Sequence, residues 1–223
     1  MDFTKFVSAL IQSGLYFSRA DLLGDPFEGS STLKNLEWFR LIADQFTDAF
    51  SGRPAVEEWT AGHLMFQKCT YVNCWHMNDY ESAAMWRLYA KTEEAIAIQT
   101  TFEKLWNVLP SNCHVGLVRY IDYKTAVIPE GNTFWPYVHK RISFVHENEV
   151  RAVIQEPLIE NNRMKENPAP GMWITIDLEL LVDTVYISPT APSWYQEVVT
   201  QTIKQFSLKT NIVQSSLAEG PVF

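Results

Sequence analysis

The chain has 223 residues, of which 47% are hydrophobic and 20% are charged, and its formal net charge at pH 7 is −8. This composition fits a globular protein with a substantial core. The negative charge argues against a general nucleic-acid binder, which needs a basic face, and no apolar stretch is long enough to suggest a membrane span.

The pattern of apolar residues predicts helices and strands in irregular order. The predicted helices cover 2–12, 33–50, 56–67, 79–89, 101–109 and a stretch after Ser193. The predicted strands cover 15–18, 71–76, 94–99, 115–121, 149–155, 173–178, 184–187 and 212–214. A polar run over 160–170 is predicted to be a loop, and 134–143 fits no single type. Without a regular strand–helix–strand rhythm, a repeat or a domain boundary, the sequence predicts one α+β domain over 1–223. Its sheet is expected to be mixed or antiparallel, with helices packed around it.

Several residues are predicted to begin or end these helices. Gly14 is placed to end the first helix. Asn78, with Glu81 three residues later, has the pattern of a capping box, and Thr100 and Ser193 are predicted caps of later helices. The helix after Ser193 is amphipathic, and its candidate core residues are Val198, Ile203 and Phe206.

Motifs of common enzyme classes are not found in the sequence. It has neither a glycine-rich phosphate loop nor a nucleophile elbow, and its five histidines lack the spacing of a zinc helix. The cysteines Cys69, Cys74 and Cys113 show no metal-ligand spacing either, and the N-terminal sequence does not resemble a signal peptide. We therefore expect no metal, and we expect buried, reduced thiols in a cytoplasmic protein.

The first candidate segment follows the strand over 15–18. Arg19, Asp25 and Glu28 crowd a turn that contains Pro26, a residue that fixes the backbone of a turn. One interpretation is a rigid loop in which the carboxylates bind backbone amides. The other is a loop that faces a ligand, because loops on rigid scaffolds often carry binding residues.

The second candidate segment is the predicted helix over 79–89. Glu81, Met85 and Tyr89 would lie on one helical face, with Trp86 on an adjoining face. Trp86 and Tyr89 near a carboxylate could form a stacking platform for a planar ligand. The alternative is an aromatic stripe that faces the core.

The third candidate segment contains Glu147, Glu149 and Arg151, which point to one face if this stretch is extended. Charges in a core are costly unless they are paired. We therefore expect these side chains to line solvent, an ion-pair network or a cleft. A carboxylate beside Arg151 would stay ionised and could stabilise a positive charge or accept a proton. An exposed, salt-bridged strand edge is the alternative.

Together the three segments resemble a bacterial family known as domain-of-unknown-function family 2971. The resemblance is carried by LYFS and DPFEG within 15–29, by NCWH and ESAAMWRLYA within 73–90, and by KR and FVHENEVR within 140–151. It spans most of the chain, and the middle motif is the most specific. The family implies no settled activity.

The order of motifs is also similar to that of ADP-ribosyltransferase-type folds, which act on NAD. By this analogy Arg19 would bind phosphate, Trp86 or Tyr89 would stack on nicotinamide, and Glu149 would stabilise the ribosyl cation. Glu147 would be a second catalytic carboxylate, and the remaining members of the predicted ligand site are Asp25, Glu28, Glu81 and Arg151. The alternatives are a non-catalytic module for an unknown small molecule and an interaction protein in which the same residues form structural salt bridges.

Overall fold

The structure is a computed structural model that describes residues 1–43, 54–161 and 163–221. The chain divides into two compact units. The first unit consists of Met1–Tyr16, Asn78–Pro110 and Trp173–Phe223. The second unit consists of Phe17–Met77 and Ser111–Met172.

Helices and short strands follow one another irregularly along the described chain. The α-helices are α1 Phe3–Gln12, α2 Leu33–Ile42, α3 Ala55–Gln67, α4 Ala83–Tyr89, α5 Phe102–Val108, α6 Leu178–Leu181 and α7 Tyr195–Gln205. The strands are β1 Gly14–Arg19, β2 Thr70–His76, β3 Ile96–Gln99, β4 His114–Leu117, β5 Arg119–Ile121, β6 His139–Arg141, β7 Glu149–Gln155, β8 Leu158–Glu160, β9 Arg163–Lys165, β10 Gly171–Thr175, β11 Thr184–Ile187 and β12 Asn211–Gln214. Short 3-10 helices cover Ala20–Leu22, Trp135–Val138, Ile142–Glu147 and Ser216–Ala218.

The first unit contains a three-stranded mixed sheet in the order β12-β11-β3. The central strand β11 pairs in parallel with β12 and antiparallel with β3. The amphipathic helix α1 buries Phe6 and Leu10, and α7 buries Val199 and Ile203. Phe3 of α1 meets the ring of Tyr195 of α7 edge to face, so these two helices share one core.

The second unit contains an antiparallel sheet in which β7 lies between β2 and β4. The register of β2 and β7 runs from Thr70↔Gln155 to His76↔Glu149. β7 is an interior strand of this sheet, and its residues from Glu149 to Ile154 are all buried, so both of its faces are covered. Polar residues on β7 therefore need partners inside the protein.

The α+β class and the mixed and antiparallel sheets that the sequence predicts are confirmed. The assignment of 1–223 to one domain stays a prediction beside the two compact units. Among the described residues, no helix has both the length and the apolar character that a membrane span requires. The predicted helix over 33–50 is found as Leu33–Ile42, and its residues from 44 onward lie outside the described chain.

The predicted helix boundaries are less accurate than the helices themselves. Ser13, in the left-handed conformation with φ 45°, ends α1 in place of Gly14. The cap of α4 is Ser82, whose hydroxyl accepts from the Met85 amide, so the prediction of Asn78 was wrong. Thr101 rather than Thr100 caps α5, and α7 begins after Trp194 without a side-chain cap. For α4 and α5 a nearby residue of suitable type takes the capping position, which sequence spacing alone does not resolve.

Three further predictions were wrong in part. Of the core residues predicted for the last helix, Ile203 is buried, whereas Val198 and Phe206 are each 39% exposed and Val199 is buried instead. The predicted strand over 115–121 is divided at Val118 into β4 and β5. The predicted loop over 160–170 contains β9, which pairs with β8 in an antiparallel hairpin.

Candidate functional site

Charged side chains that are distant in sequence meet on one face of the sheet in the second unit. We call this group the ionic cluster, and its members are Glu28, Lys140, Glu147, Glu149 and Arg151. All five residues are buried. Burying so many charges is costly unless they are paired and hydrogen-bonded, so their partners decide what the cluster can do.

Arg151 lies at the centre of the cluster and is 1% exposed. Its Nη1 and Nη2 donate to the two carboxylate oxygens of Glu28 at 2.6 and 2.8 Å. Its Nε and Nη2 donate to Glu149 at 2.7 and 3.2 Å, and Nη1 also donates to the carbonyl of Tyr137 at 2.9 Å. A guanidinium has five N–H groups, and here each has an acceptor. Arg151 therefore has no donor left for a ligand.

Lys140 is the second cation of the cluster and contacts all three of its carboxylates. Its Nζ donates to Glu147 and, at 2.7 Å, to Glu149, and it lies 3.4 Å from a carboxylate oxygen of Glu28. The ammonium has three N–H groups, which matches this number of acceptors. Lys140 and Arg151 thus bridge two carboxylates in common, Glu28 and Glu149, from different elements.

The local backbone explains why these side chains converge. Glu149 and Arg151 share a face of β7 because alternate residues of a strand point the same way. Glu147 ends the preceding 3-10 helix, and Asn148, with φ 39°, turns the chain from that helix into β7.

The loop that carries Glu28 is fixed by its own hydrogen bonds. The Asp25 carboxylate accepts from the Phe27 amide at 3.1 Å, and the Asp25 carbonyl accepts from the Glu28 amide at 3.0 Å. Gly29 follows with φ 71°, and a Cβ there would lie 2.4 Å from the ring of Tyr137. The turn therefore requires glycine at this position, and it delivers Glu28 to Arg151.

The electrostatics of the cluster follow from an excess of carboxylates, since two cations face three acids. Burial, together with a hydrogen bond to Glu149, raises the pKa of the Glu147 carboxyl. Burial also opposes ionisation of Glu149, but the charge and hydrogen bonds of Arg151 outweigh it and lower the pKa of Glu149. Glu149 is accordingly the ionised member of this pair, and Glu147 is the one that gains a proton first.

A second ion pair lies beside the cluster. Arg141 donates from Nε and Nη2 to the buried carboxylate of Asp25 at 3.1 and 2.7 Å. Its guanidinium lies 4.4 Å from the ring centre of Phe27 and 5.3 Å from that of Phe144. The Arg141 side chain is 35% exposed, and its Nη1 has no hydrogen-bond partner among the described residues. Arg141 is thus a positioned cation that still reaches solvent.

The structure brings together four of the predicted site residues, Glu28, Glu147, Glu149 and Arg151, with Asp25 in the adjacent pair. We expected the charges of the third segment to line solvent, an ion-pair network or a cleft. The geometry matches the ion-pair network. The alternative of an exposed strand edge was wrong, because β7 is an interior strand and these side chains are buried. Glu147 also belongs to a 3-10 helix and not to the extended strand in which it was predicted.

Arg19 is not a member of the ionic cluster. Its Nε donates to Asp21 at 2.6 Å, and its Nη1 donates to the carbonyl of Asn167 at 2.8 Å. These bonds connect β1 to the segment that precedes β10, which is a structural role.

Glu81, Trp86 and Tyr89 belong to the first unit. Glu81 precedes α4, so the predicted helical stack with Tyr89 is not formed. Its carboxylate instead accepts from the Trp86 indole at 3.1 Å and from the Ser216 amide at 3.0 Å. Burial opposes ionisation of Glu81, but hydrogen bonds from Ser215, Ser216 and Trp86 lower its pKa. Tyr89 is 49% exposed.

Sequence reasoning missed Lys140 and Arg141. Both stand at the start of the third candidate segment, but no role was predicted for them. The sequence signal that could have indicated their role is a pair of adjacent cations just before a stretch with two glutamates, which are possible ion-pair partners. Cys74 was also predicted to be buried and is exposed, whereas Cys69 and Cys113 are buried.

Among residues 1–43, 54–161 and 163–221, no group of three or more His, Cys, Asp or Glu side chains is arranged to hold a metal ion. The first unit has an open polar cavity of about 500 Å³ next to Lys104, Asp183 and Lys209. The second unit has an apolar cavity of about 150 Å³ beside β4. Comparisons with protein-family models, with curated proteins and with solved structures find no match to this chain.

Proposed function

We propose that this protein is a non-catalytic binding module for a small anionic ligand, and that its ionic cluster is a structural scaffold. The observation that carries the scaffold role is the saturation of Arg151, whose N–H groups all have acceptors inside the protein. A phosphate or carboxylate ligand would have to displace Glu28 or Glu149, and a buried carboxylate without its counter-ion is strongly destabilising.

The proposed ligand contact is Arg141. Asp25 and the two phenylalanine rings hold its guanidinium in one place, which lowers the entropy cost of binding. Nη1, which has no hydrogen-bond partner among the described residues, is the donor that an anion would use, and the planar guanidinium suits carboxylate and phosphate oxygens. Asp25 cancels part of the positive charge, so the proposed affinity is modest.

A cytoplasmic location is part of this proposal and is supported by the three free cysteines. We do not propose general nucleic-acid binding, because a net charge of −8 does not favour binding to phosphates. Membership of domain-of-unknown-function family 2971 stays a prediction.

A second candidate function is an ADP-ribosyltransferase-like enzyme that acts on NAD. One observation favours it, since Arg151 keeps the Glu149 carboxylate ionised, as a group that stabilises a ribosyl cation must be. Against it, Glu149 is 5% exposed, and its two oxygens already accept from Arg151 and Lys140.

NAD consumption by the wild type and by Glu149→Gln separates the two candidates. For a binding module we expect no turnover by either protein. Turnover by the wild type that is lost in a folded Glu149→Gln variant would establish the enzyme. The matched control is Glu37→Gln, which alters an exposed carboxylate paired with Lys34.

Ligand binding is tested by NMR titration with inorganic phosphate and with ADP-ribose. We expect shifts at Arg141 and Phe27 in the wild type that are lost in Arg141→Gln, while Arg19→Gln retains them. If the Arg141→Gln variant shows the same shift changes as the wild type, Arg141 does not bind the ligand.

A further inference from the structure

The strand β4 ends the sheet of the second unit, and one of its long edges pairs with no other strand in the described ranges of the chain. The amide of Val118 donates to the Glu149 carbonyl at 2.9 Å, which identifies this position as a hydrogen-bonded pair of the antiparallel ladder. Bonded positions recur every second residue, so Gly116 and His114 also turn their backbone groups toward β7.

The intervening residues, Val115 and Leu117, therefore turn their N–H and C=O groups away from β7. No partner for these four groups is found in the described part of the chain. Leu117 is 56% exposed. The edge carries no proline and no Lys, Arg, Asp or Glu side chain of the kinds that usually block such edges.

The apolar cavity of about 150 Å³ adjoins this edge. Its wall includes Gly116 of the edge strand, Val153 of β7, and Phe134, Trp135 and Val138 from the segment after β5. His114 packs its ring against Phe134 with the ring centres 4.2 Å apart. Gly116 has no side chain to separate the edge from the cavity, and a Cβ there would lie 3.1 Å from a methyl group of Val138.

From these features we infer that β4 binds an extended peptide as an added strand, with one apolar side chain of the peptide in the cavity beside Gly116. The unpaired backbone groups present N–H and C=O at the spacing with which an added strand can pair. The cavity is smaller than the roughly 300 Å³ at which small-molecule pockets begin, but its size suits a single side chain.

The charge of the protein and the length of the edge further define the partner. A net charge of −8 favours a neutral or basic peptide over an acidic one. Pairing with a second copy through four residues would bury far less than the roughly 1,000 Å² of a stable interface. A short peptide anchored by one side chain needs no such area to bind transiently. This site is separate from the ligand contact proposed at Arg141.

The test uses three synthetic peptides, acetyl-Lys-Thr-Val-X-Val-Thr-Lys-amide, in which X is Gly, Leu or Phe. When the peptide is extended, X points to the face of Gly116 and the flanking valines lie beside Val115 and Leu117. We expect the Leu or Phe peptide to bind about tenfold more tightly than the Gly peptide by calorimetry, since burial of an apolar side chain favours it. Saturating peptide should slow amide exchange at Val115 and Leu117.

Two variants and one control variant test the two parts of the site. Val115→Pro removes an outward N–H without removing a bond to β7 and should weaken binding at least tenfold, whereas Val115→Thr keeps the N–H and should bind normally. Val138→Phe should fill the cavity and abolish the preference for Leu or Phe over Gly. Unchanged amide exchange at Val115 and Leu117 in the wild type at saturating peptide would overturn the inference even if Val115→Pro does not fold. Equal binding of the three peptides to the wild type would overturn it as well.

Discussion

The guanidinium of Arg151 and the carboxylate of Glu28, separated by 123 positions in sequence, form two parallel hydrogen bonds of 2.6 and 2.8 Å. This bidentate geometry is among the strongest hydrogen-bonded arrangements that proteins use. It ties the loop at Glu28 to the interior strand β7, and Lys140 connects the same carboxylate to β6.

The first prediction concerns Arg151→Met, which removes the central cation and leaves Glu28 and Glu149 buried without it. We expect the free energy of unfolding to fall by about 3–5 kcal/mol. Urea denaturation followed by circular dichroism measures this loss. The control Lys34→Met breaks the exposed pair with Glu37 and should cost less than about 1 kcal/mol. Similar losses for both variants would contradict a structural role for the cluster.

The second prediction concerns the pH dependence of stability. The folded-state pKa of Glu147 is raised above its ordinary value of 4.5, mainly by burial. Proton binding by Glu147 therefore stabilises the fold fully below pH 4.5, and this contribution is lost as the pH rises through the raised pKa. Glu147→Gln stays neutral, so its stability relative to the wild type should increase as the pH rises.

For Glu149 the pH dependence of the stability contribution has the opposite sign. Its folded-state pKa lies below 4.5, so its contribution is present above that pH and is lost as the pH falls. Glu149→Gln should therefore be most destabilising near neutral pH. Denaturation of both variants at about pH 4 and about pH 7 measures the two trends. If the stability of both variants relative to the wild type changes in the same direction with pH, the pKa values of Glu147 and Glu149 are not shifted in opposite directions.

The third prediction concerns the pair formed by Arg141 and Asp25. A double-mutant cycle with Asp25→Asn and Arg141→Gln should give a coupling energy of about 1–2 kcal/mol, since the pair is bidentate but part of it is exposed. Asparagine keeps the acceptor for the Phe27 amide, so the cycle isolates the contact with Arg141. A coupling energy near zero would mean that Asp25 does not position the guanidinium.

The fourth prediction concerns Glu81 in the first unit. Glu81→Ala removes the acceptor for the amide of Ser216, so this amide should exchange with deuterium about tenfold faster, as expected for the loss of about 1.4 kcal/mol of local stability. Glu81→Gln keeps an acceptor oxygen and should show a smaller change. If exchange at Ser216 is the same in all three proteins, Glu81 does not hold the Ser216–Ala218 turn.

Much of the secondary structure could be predicted because it is encoded locally. The strand over 149–155 is found with the predicted bounds, and Glu149 and Arg151 share a face as strand alternation requires. Helix caps were less predictable, because Ser82 and Thr101 compete with nearby residues that can make the same hydrogen bond. The candidate site was predicted in part, since four of its residues converge and Glu81, Trp86 and Tyr89 belong to the other unit.

The sequence by itself determined the α+β class, the periodicity of its elements and the need for charged partners near Arg151. Only the tertiary structure decided which partners these are. Strand order makes β7 an interior strand, and the turn at Gly29 carries Glu28 to Arg151, so charges that could have lined a cleft are saturated inside the protein. The physical reason is that a salt bridge depends on distances within about 4 Å between segments far apart in sequence, and local patterns carry no information about such distances.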